Sequence, residues 1–160
     1  MNVAQYKEEI ATYAWSNYAG PTYYEPTEVI EALIALITLD REDLNQATYD
    51  KVLFAIGNNH AGTYYPVIEK ALTYIINVAR HSASEVARNC SFAVLIDLYA
   101  SFEPELGSYN KITADELENK VKKAIESMQD SLRAIRHSIS ESDRNKQLVS
   151  ALLDLINEVE

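Results

Sequence analysis

A chain of 160 residues, 48% of them apolar, is long enough for a hydrophobic core and too apolar for disorder. Its formal charge of -10, from 24 acids against 14 bases, argues against nucleic acid and anionic lipid as partners and favours a basic protein. The single cysteine, Cys90, excludes an intramolecular disulfide, and no apolar run approaches the roughly twenty residues of a membrane span.

The opening MNVAQYKEEI lacks the basic start and apolar run of a secretory signal, so cytoplasmic residence is expected. Val3, Tyr6, Ile10, Tyr13, Ala14 and Asn17 recur at spacings of three and four, which predicts an amphipathic helix ended by Gly20 and Pro21. TEVIEALIALITL follows, so apolar that two of its faces need cover. Asp40 is the expected N-cap of the next helix, REDLNQATYDKVLFAI, with Leu44, Ala47, Val52, Ala55 and Ile56 inward. Gly57, Asn58 and Asn59 tolerate the left-handed conformation and are expected to stop it.

Beyond HAGTYYP, the segment PVIEKALTYIINVAR places Val67, Ile68, Ala71, Leu72, Ile75, Ile76 and Ala79 on one broad face. Ser82 and Glu85 read as a capping box for a helix containing SFAVLIDLYASF, apolar almost all round and expected to be the most buried. Glu103 and Pro104 close it, Leu106 to Asn110 form a loop, and Thr113 with Glu116 make a second capping box. Leu117, Val121, Ile125, Met128, Leu132, Ile135 and Ile139 then mark a narrow stripe on one charged helix of about seven turns. Ser140 to Asp143 break and recap the chain before a final helix carrying Leu148, Val149, Leu152, Leu153, Ile156 and Val159. No stretch shows sustained two-residue alternation, and four Gly with four Pro leave little material for a β-sandwich. The fold class is therefore all-α, with about seven helices in a single domain.

The sequence repeats itself. Gly20-Pro-Thr-Tyr-Tyr-Glu-Pro26 and His60-Ala-Gly-Thr-Tyr-Tyr-Pro66 are followed by Val29-Ile-Glu-Ala-Leu33 and Val67-Ile-Glu-Lys-Ala-Leu72, which align with one residue inserted at Lys70. Paired helices about 40 residues apart are the mark of HEAT and armadillo arrays, in which hairpins stack because none can bury its apolar face alone. The expected layout is a capping helix over 1–19, hairpins over 22–57 and 63–104, and a diverged C-terminal hairpin over 113–160.

The run from Val52 to about Gly107, above all Asn59-His-Ala-Gly-Thr-Tyr-Tyr-Pro66 and Leu95-Ile-Asp-Leu98 with Ser101-Phe-Glu-Pro104, resembles small bacterial HEAT-like proteins. Some of these resemble immunity proteins encoded beside polymorphic or contact-dependent toxins. The resemblance covers about a third of the chain and implies a binding module rather than a reaction.

Catalytic chemistry has little to stand on. His60, His81 and His137 lie far apart, and the pairs His81/Glu85 and His137/Glu141 supply two ligands where a metal site needs three or four, so no metal or cofactor is expected. Cys90 lies on an apolar face between Val86 and Val94, the setting of an inert buried thiol. Phosphate loops, nucleophile elbows and zinc-protease motifs are missing from the sequence, so no enzymatic activity is expected. Asp97 sits within an apolar helix and, if turned inward, needs a donor such as a backbone amide or a tyrosine hydroxyl.

Eleven tyrosines against three Phe and one Trp remain, and tyrosine suits interfaces because it joins stiff contact area to a hydroxyl. Residues 1–60 carry nine acids against three bases, so the acidity gathers where the first doublet lies. The candidate partner-binding residues are Tyr23, Tyr24, Glu25, Glu28, Asp40, Glu42, Asp43, Asn59, His60, Tyr64 and Tyr65, with one exposed ring expected from each doublet. The expected function is that of a monomeric immunity protein neutralising a basic toxin domain such as a nuclease. Two alternatives are a small-ligand protein or enzyme using His60 with a carboxylate partner, and a scaffold subunit pairing through the helix over 114–139.

Overall fold

The computed structural model describes residues 2–108 and 110–158, so Tyr109 of the expected loop and Val159 of the final stripe lie outside the described residues. Eight α-helices form: α1 (Val3–Thr12), α2 (Pro26–Ile37), α3 (Asn45–Ile56), α4 (Ile68–His81), α5 (Glu85–Ala100), α6 (Ala114–Glu126), α7 (Gln129–His137) and α8 (Asp143–Glu158). Helix α2 packs on α3 and α4 on α5, while α7 continues α6 and packs on α8. Across these hairpins α2, α4 and α6 touch in succession, and so do α3, α5 and α8. The fold is thus a two-layered stack of helical hairpins, with α1 covering α2 at one end. The core runs between the layers: Leu33, Leu53, Ile68, Ile75, Phe92 and Leu95 are fully buried, and α5 contributes more buried residues than any other helix.

Where helices begin and end differs from the expectation in ways the side chains explain. Helix α1 stops at Thr12, well short of Gly20, because Trp15 folds back beneath it and its indole Nε1 donates to the Ile10 carbonyl at 2.7 Å. That bond satisfies a carbonyl the helix end would otherwise leave unpaired. Of the expected stripe only Ile10 is buried; Tyr13 turns outward and stacks edge-on against Trp15. Asp40 is not a cap. A 3-10 turn over Glu42–Leu44 leads directly into α3, so the Asn45 amide bonds to the Glu42 carbonyl and no side chain is needed. That geometry also leaves Leu44 and Ala47 exposed, against the expectation.

Ser84 rather than Ser82 caps α5, accepting from the Ala87 amide, while buried Ser82 accepts from the Ser84 amide and shapes the approach. The capping box of Thr113 and Glu116 forms as expected. The long helix over 114–139 is interrupted at Ser127 and Met128, where the ladder tightens to a 3-10 bond from the Met128 amide to the Ile125 carbonyl. The break keeps Met128 and Leu132 in the core but leaves Ile139 wholly exposed. Ser142 then accepts from the Asn145 amide at the start of α8.

Three two-residue strands, β1 (Gly57–Asn58), β2 (Thr63–Tyr64) and β3 (Glu103–Pro104), were too short to leave an alternating pattern. Strand β2 is central, antiparallel to β1 (Gly57 opposite Tyr64) and parallel to β3 (Thr63 opposite Glu103). The sheet joins the turn between the first two hairpins to the turn after the second. Asn110 Nδ2, donating to the Ala19 carbonyl at 2.8 Å, ties in the turn before α2. All three connections therefore share one edge of the stack, as equivalent turns of stacked repeats do.

Gly57 is extended, not left-handed, and its requirement is space: an added Cβ would lie 1.9 Å from the Thr63 carbonyl oxygen. The left-handed residue of the β1–β2 turn is Gly62, at φ 67°. Gly57→Ala is predicted to lower stability by about 2–3 kcal/mol in urea unfolding, since backbone must move to admit the methyl. An unchanged midpoint would contradict this strand pairing.

Candidate partner-binding face

The doublets meet at the shared edge but do not behave alike. Tyr23 is 77% exposed, whereas Tyr24 is half-buried and donates to the Trp15 carbonyl at 2.8 Å. The ring of Tyr24 stands edge-on to Tyr65 at 6.2 Å. Tyr64 and Tyr65 are both buried, so the expectation of an exposed ring from the second doublet is wrong, and neither can serve as an exposed partner contact. The reason is the sheet: strand pairing on both sides of β2 encloses Tyr64, and the Tyr65 amide binds the Ile56 carbonyl at 2.7 Å, drawing that ring under Tyr24. The Tyr64 hydroxyl has no hydrogen-bond partner among the described residues.

Tyr23, Glu28, Phe54, Gly57, Asn58 and Tyr65 line a cavity of about 520 Å³. Phe54 was missed by sequence reading; it is 40% exposed, and the His60 ring packs edge-on against it at 4.9 Å. His60 is exposed and forms no ion pair with a carboxylate among the described residues, so the partner required by a His60-centred active site is not there. Asn59 donates to Asp50 Oδ1 at 3.5 Å.

The acids expected to form one patch divide between the two ends of α2, a separation of about 18 Å for a 12-residue helix. Glu25 and Glu28 stand at the cavity end, without an ion-pair partner among the described residues. At the far end Asp43 pairs with Arg41 and Glu42 with Arg144, while Asp40 is exposed. Each of these pairs is open to solvent and contributes little to stability.

A feature the sequence reading missed runs along α3, α5 and α8. Asn45 Nδ2 donates to Asn89 Oδ1 at 3.0 Å, Asn89 Nδ2 to Asn145 Oδ1 at 3.1 Å, and Asn145 Nδ2 to Glu141 Oε1 at 2.8 Å. Arg88 donates to the same Glu141 oxygen at 2.9 Å, and all three asparagines are buried. The signal was available: Ser84-Glu-x-x-Arg-Asn89 and Ser140-Glu-x-x-Arg-Asn145 share a pattern and place an Asn near the start of each helix. Glu141 is thereby committed to Arg88 and Asn145 rather than to the expected pairing with His137.

Beside this ladder a second cavity, of about 500 Å³, opens between α3, α5 and α8. Asp97 does turn inward, and its Oδ2 accepts from the Tyr49 hydroxyl, one of the donors the sequence anticipated. Burial, then the Asp97 bond, pushes the Tyr49 phenol above its ordinary range. Cys90 is buried as expected, and burial pushes its thiol up to about 12. Among the described residues no group of three or more His, Cys, Asp or Glu is placed to hold a metal ion.

Asn89→Ala removes two ladder bonds and strands a buried amide and a buried carbonyl, so a loss of about 2–4 kcal/mol is predicted in urea unfolding. Asn59→Ala, which loses only the long 3.5 Å bond to Asp50 at a half-buried turn, serves as the small-effect control. A second expectation concerns pH. Burial raises the phenol of Tyr24 to about 12 from 10.0, and the Cys90 thiol to about 12 from 9.0. Such groups lose protons first in the unfolded chain, so the native state retains its full stability below about pH 9 and loses it as pH rises towards 12. The absorbance of the buried tyrosinates should therefore appear cooperatively with unfolding; titration of the buried phenols without loss of helix would contradict it.

No family model, curated protein or solved structure matches the chain.

Proposed function

We propose that the protein is a monomeric, cytoplasmic binding module that neutralises a basic protein, as an immunity protein does its cognate toxin, with a nuclease domain as the fitting partner. The observation that carries this reading is the pairing of exposed Tyr23 and Phe54 around the cavity holding Glu28. Aromatic anchors that flank a pocket and can be desolvated are what concentrate binding energy at interfaces. The net charge of -10 supplies long-range attraction for a basic surface, and Glu25 and Glu28 stand unneutralised by ion pairs beside the anchors. Carboxylates placed over a nuclease cleft would occupy the positions of substrate phosphates. The resemblance of the 52–107 stretch to small HEAT-like bacterial proteins points the same way.

The test is binding to basic nuclease toxin domains, measured by surface plasmon resonance across a salt series. Tyr23→Ala and Phe54→Ala are each expected to raise Kd at least about tenfold, chiefly through faster dissociation. Glu25→Gln with Glu28→Gln is expected to slow association severalfold and flatten its salt dependence. A salt-indifferent association rate, or wild-type affinity in both aromatic variants, would overturn the proposal.

A further inference from the structure

The cavity beside the asparagine ladder has an unusual balance of hydrogen-bonding groups. Each of its donor-bearing polar side chains commits at least one donor within the protein. The Tyr49 hydroxyl goes to Asp97, Asn45 Nδ2 to Asn89, Asn89 Nδ2 to Asn145, Gln46 Nε2 to Asp50, and the Arg144 guanidinium to Glu42. The acceptors are not matched in the same way. Asp97 Oδ1 and Asn45 Oδ1 accept no hydrogen bond among the described residues, although Asn45 is only 8% exposed. Neither oxygen is among the fully buried side-chain atoms that lack a partner, so both are open to a donor that enters the cavity.

The charged residues of the lining are Glu42, Asp97 and Arg144, one net negative charge, and Arg144 is neutralised by Glu42 at the rim. Ile96 and Leu148 give the cavity an apolar wall suited to a methylene stem. The face of the Tyr49 ring offers a further attraction for a cation. A group that only donates, carries positive charge and arrives on an aliphatic chain answers all of these features together.

We propose that this cavity receives an arginine or lysine side chain of the partner protein, its cationic head donating to Asp97 Oδ1 and Asn45 Oδ1. The inference rests on the partner-binding reading above and adds the specificity pocket to it. Helix α3 links the two places: Gln46, Asp50 and Phe54 follow one another at four-residue steps, so the cavity and the aromatic anchors lie about 12 Å apart along one face.

The experiment is a chemical-shift titration of the 15N-labelled full chain with N-acetyl-arginine N-methylamide and N-acetyl-lysine N-methylamide. The neutral glutamine analogue is the control, and spermidine represents a free polyamine. Saturable shifts are expected at the side-chain amides of Asn45 and Asn89 and at the backbone of Tyr49 and Asp97, with the cationic amino-acid probes only. Asp97→Asn, which keeps an acceptor for Tyr49, should weaken the cationic probes at least about tenfold while melting near the wild-type temperature. Tyr49→Phe leaves both carboxylate oxygens free and should hold the probes at least as tightly. Equal shifts with the glutamine analogue, no shifts at these residues, or a response to spermidine alone would overturn the proposal. A toxin domain that binds wild type and Asp97→Asn equally would also overturn it, while leaving the partner-binding reading intact. Probes that fill the cavity of a protein that binds no toxin domain would do the reverse.

Discussion

Three asparagines, one from each hairpin, form a continuous chain of buried hydrogen bonds through Asn45, Asn89 and Asn145, ending on Glu141. Apolar burial holds the layers together but does not choose among rotations of one hairpin on the next, since it is nearly indifferent to direction. A buried amide is not indifferent: displaced by a few ångströms it loses a partner and keeps its desolvation cost. The ladder therefore sets the register in which α3, α5 and α8 lie side by side. Arg88 reaching Glu141 adds a charged tie between the second and third hairpins.

That register has consequences at both ends of α3. In its first half it places Tyr49 opposite Asp97 and leaves between the helices a cavity in which Asp97 Oδ1 and Asn45 Oδ1 accept no hydrogen bond from the described residues. At its end the chain leaves α3 through Gly57 into the small sheet, which buries Tyr64 and Tyr65 and leaves Phe54 and Tyr23 outside. The proposed partner surface is thus what remains when the stacking interactions have claimed their residues. The tyrosine doublets show this division plainly, because three of the four rings are claimed at least in part by the stack and one is left exposed.

The helices and their pairing were legible because apolar periodicity and the GPTYYEP and HAGTYYP repeat are local signals. The lining-up of the connections at one edge followed from the repeat. Asp97 finding a tyrosine hydroxyl followed from the cost of burying a carboxylate. What was not legible depends on partners distant in sequence. Trp15 ending α1, the parallel pairing of β2 with β3 and the division of the acids between the two ends of α2 are all tertiary outcomes. Tyr65 reads locally like Tyr24, yet only the sheet decides that its whole doublet is enclosed. The third hairpin was legible in principle, through the Ser-Glu-x-x-Arg-Asn pattern at 84–89 and 140–145. That pattern escaped notice, so the third hairpin was expected only as a diverged unit whose first helix carries no tyrosine doublet.

In the proposed function one face, running along α3 from the asparagine ladder to Phe54, meets a basic partner. Hydrogen–deuterium exchange of the protein with and without a basic toxin domain that it binds reads that face directly. New protection is expected to concentrate in 20–28 and 45–60, with α6 and α7 unchanged. Protection confined to α6 and α7, with α3 exchanging as in the free protein, would contradict it.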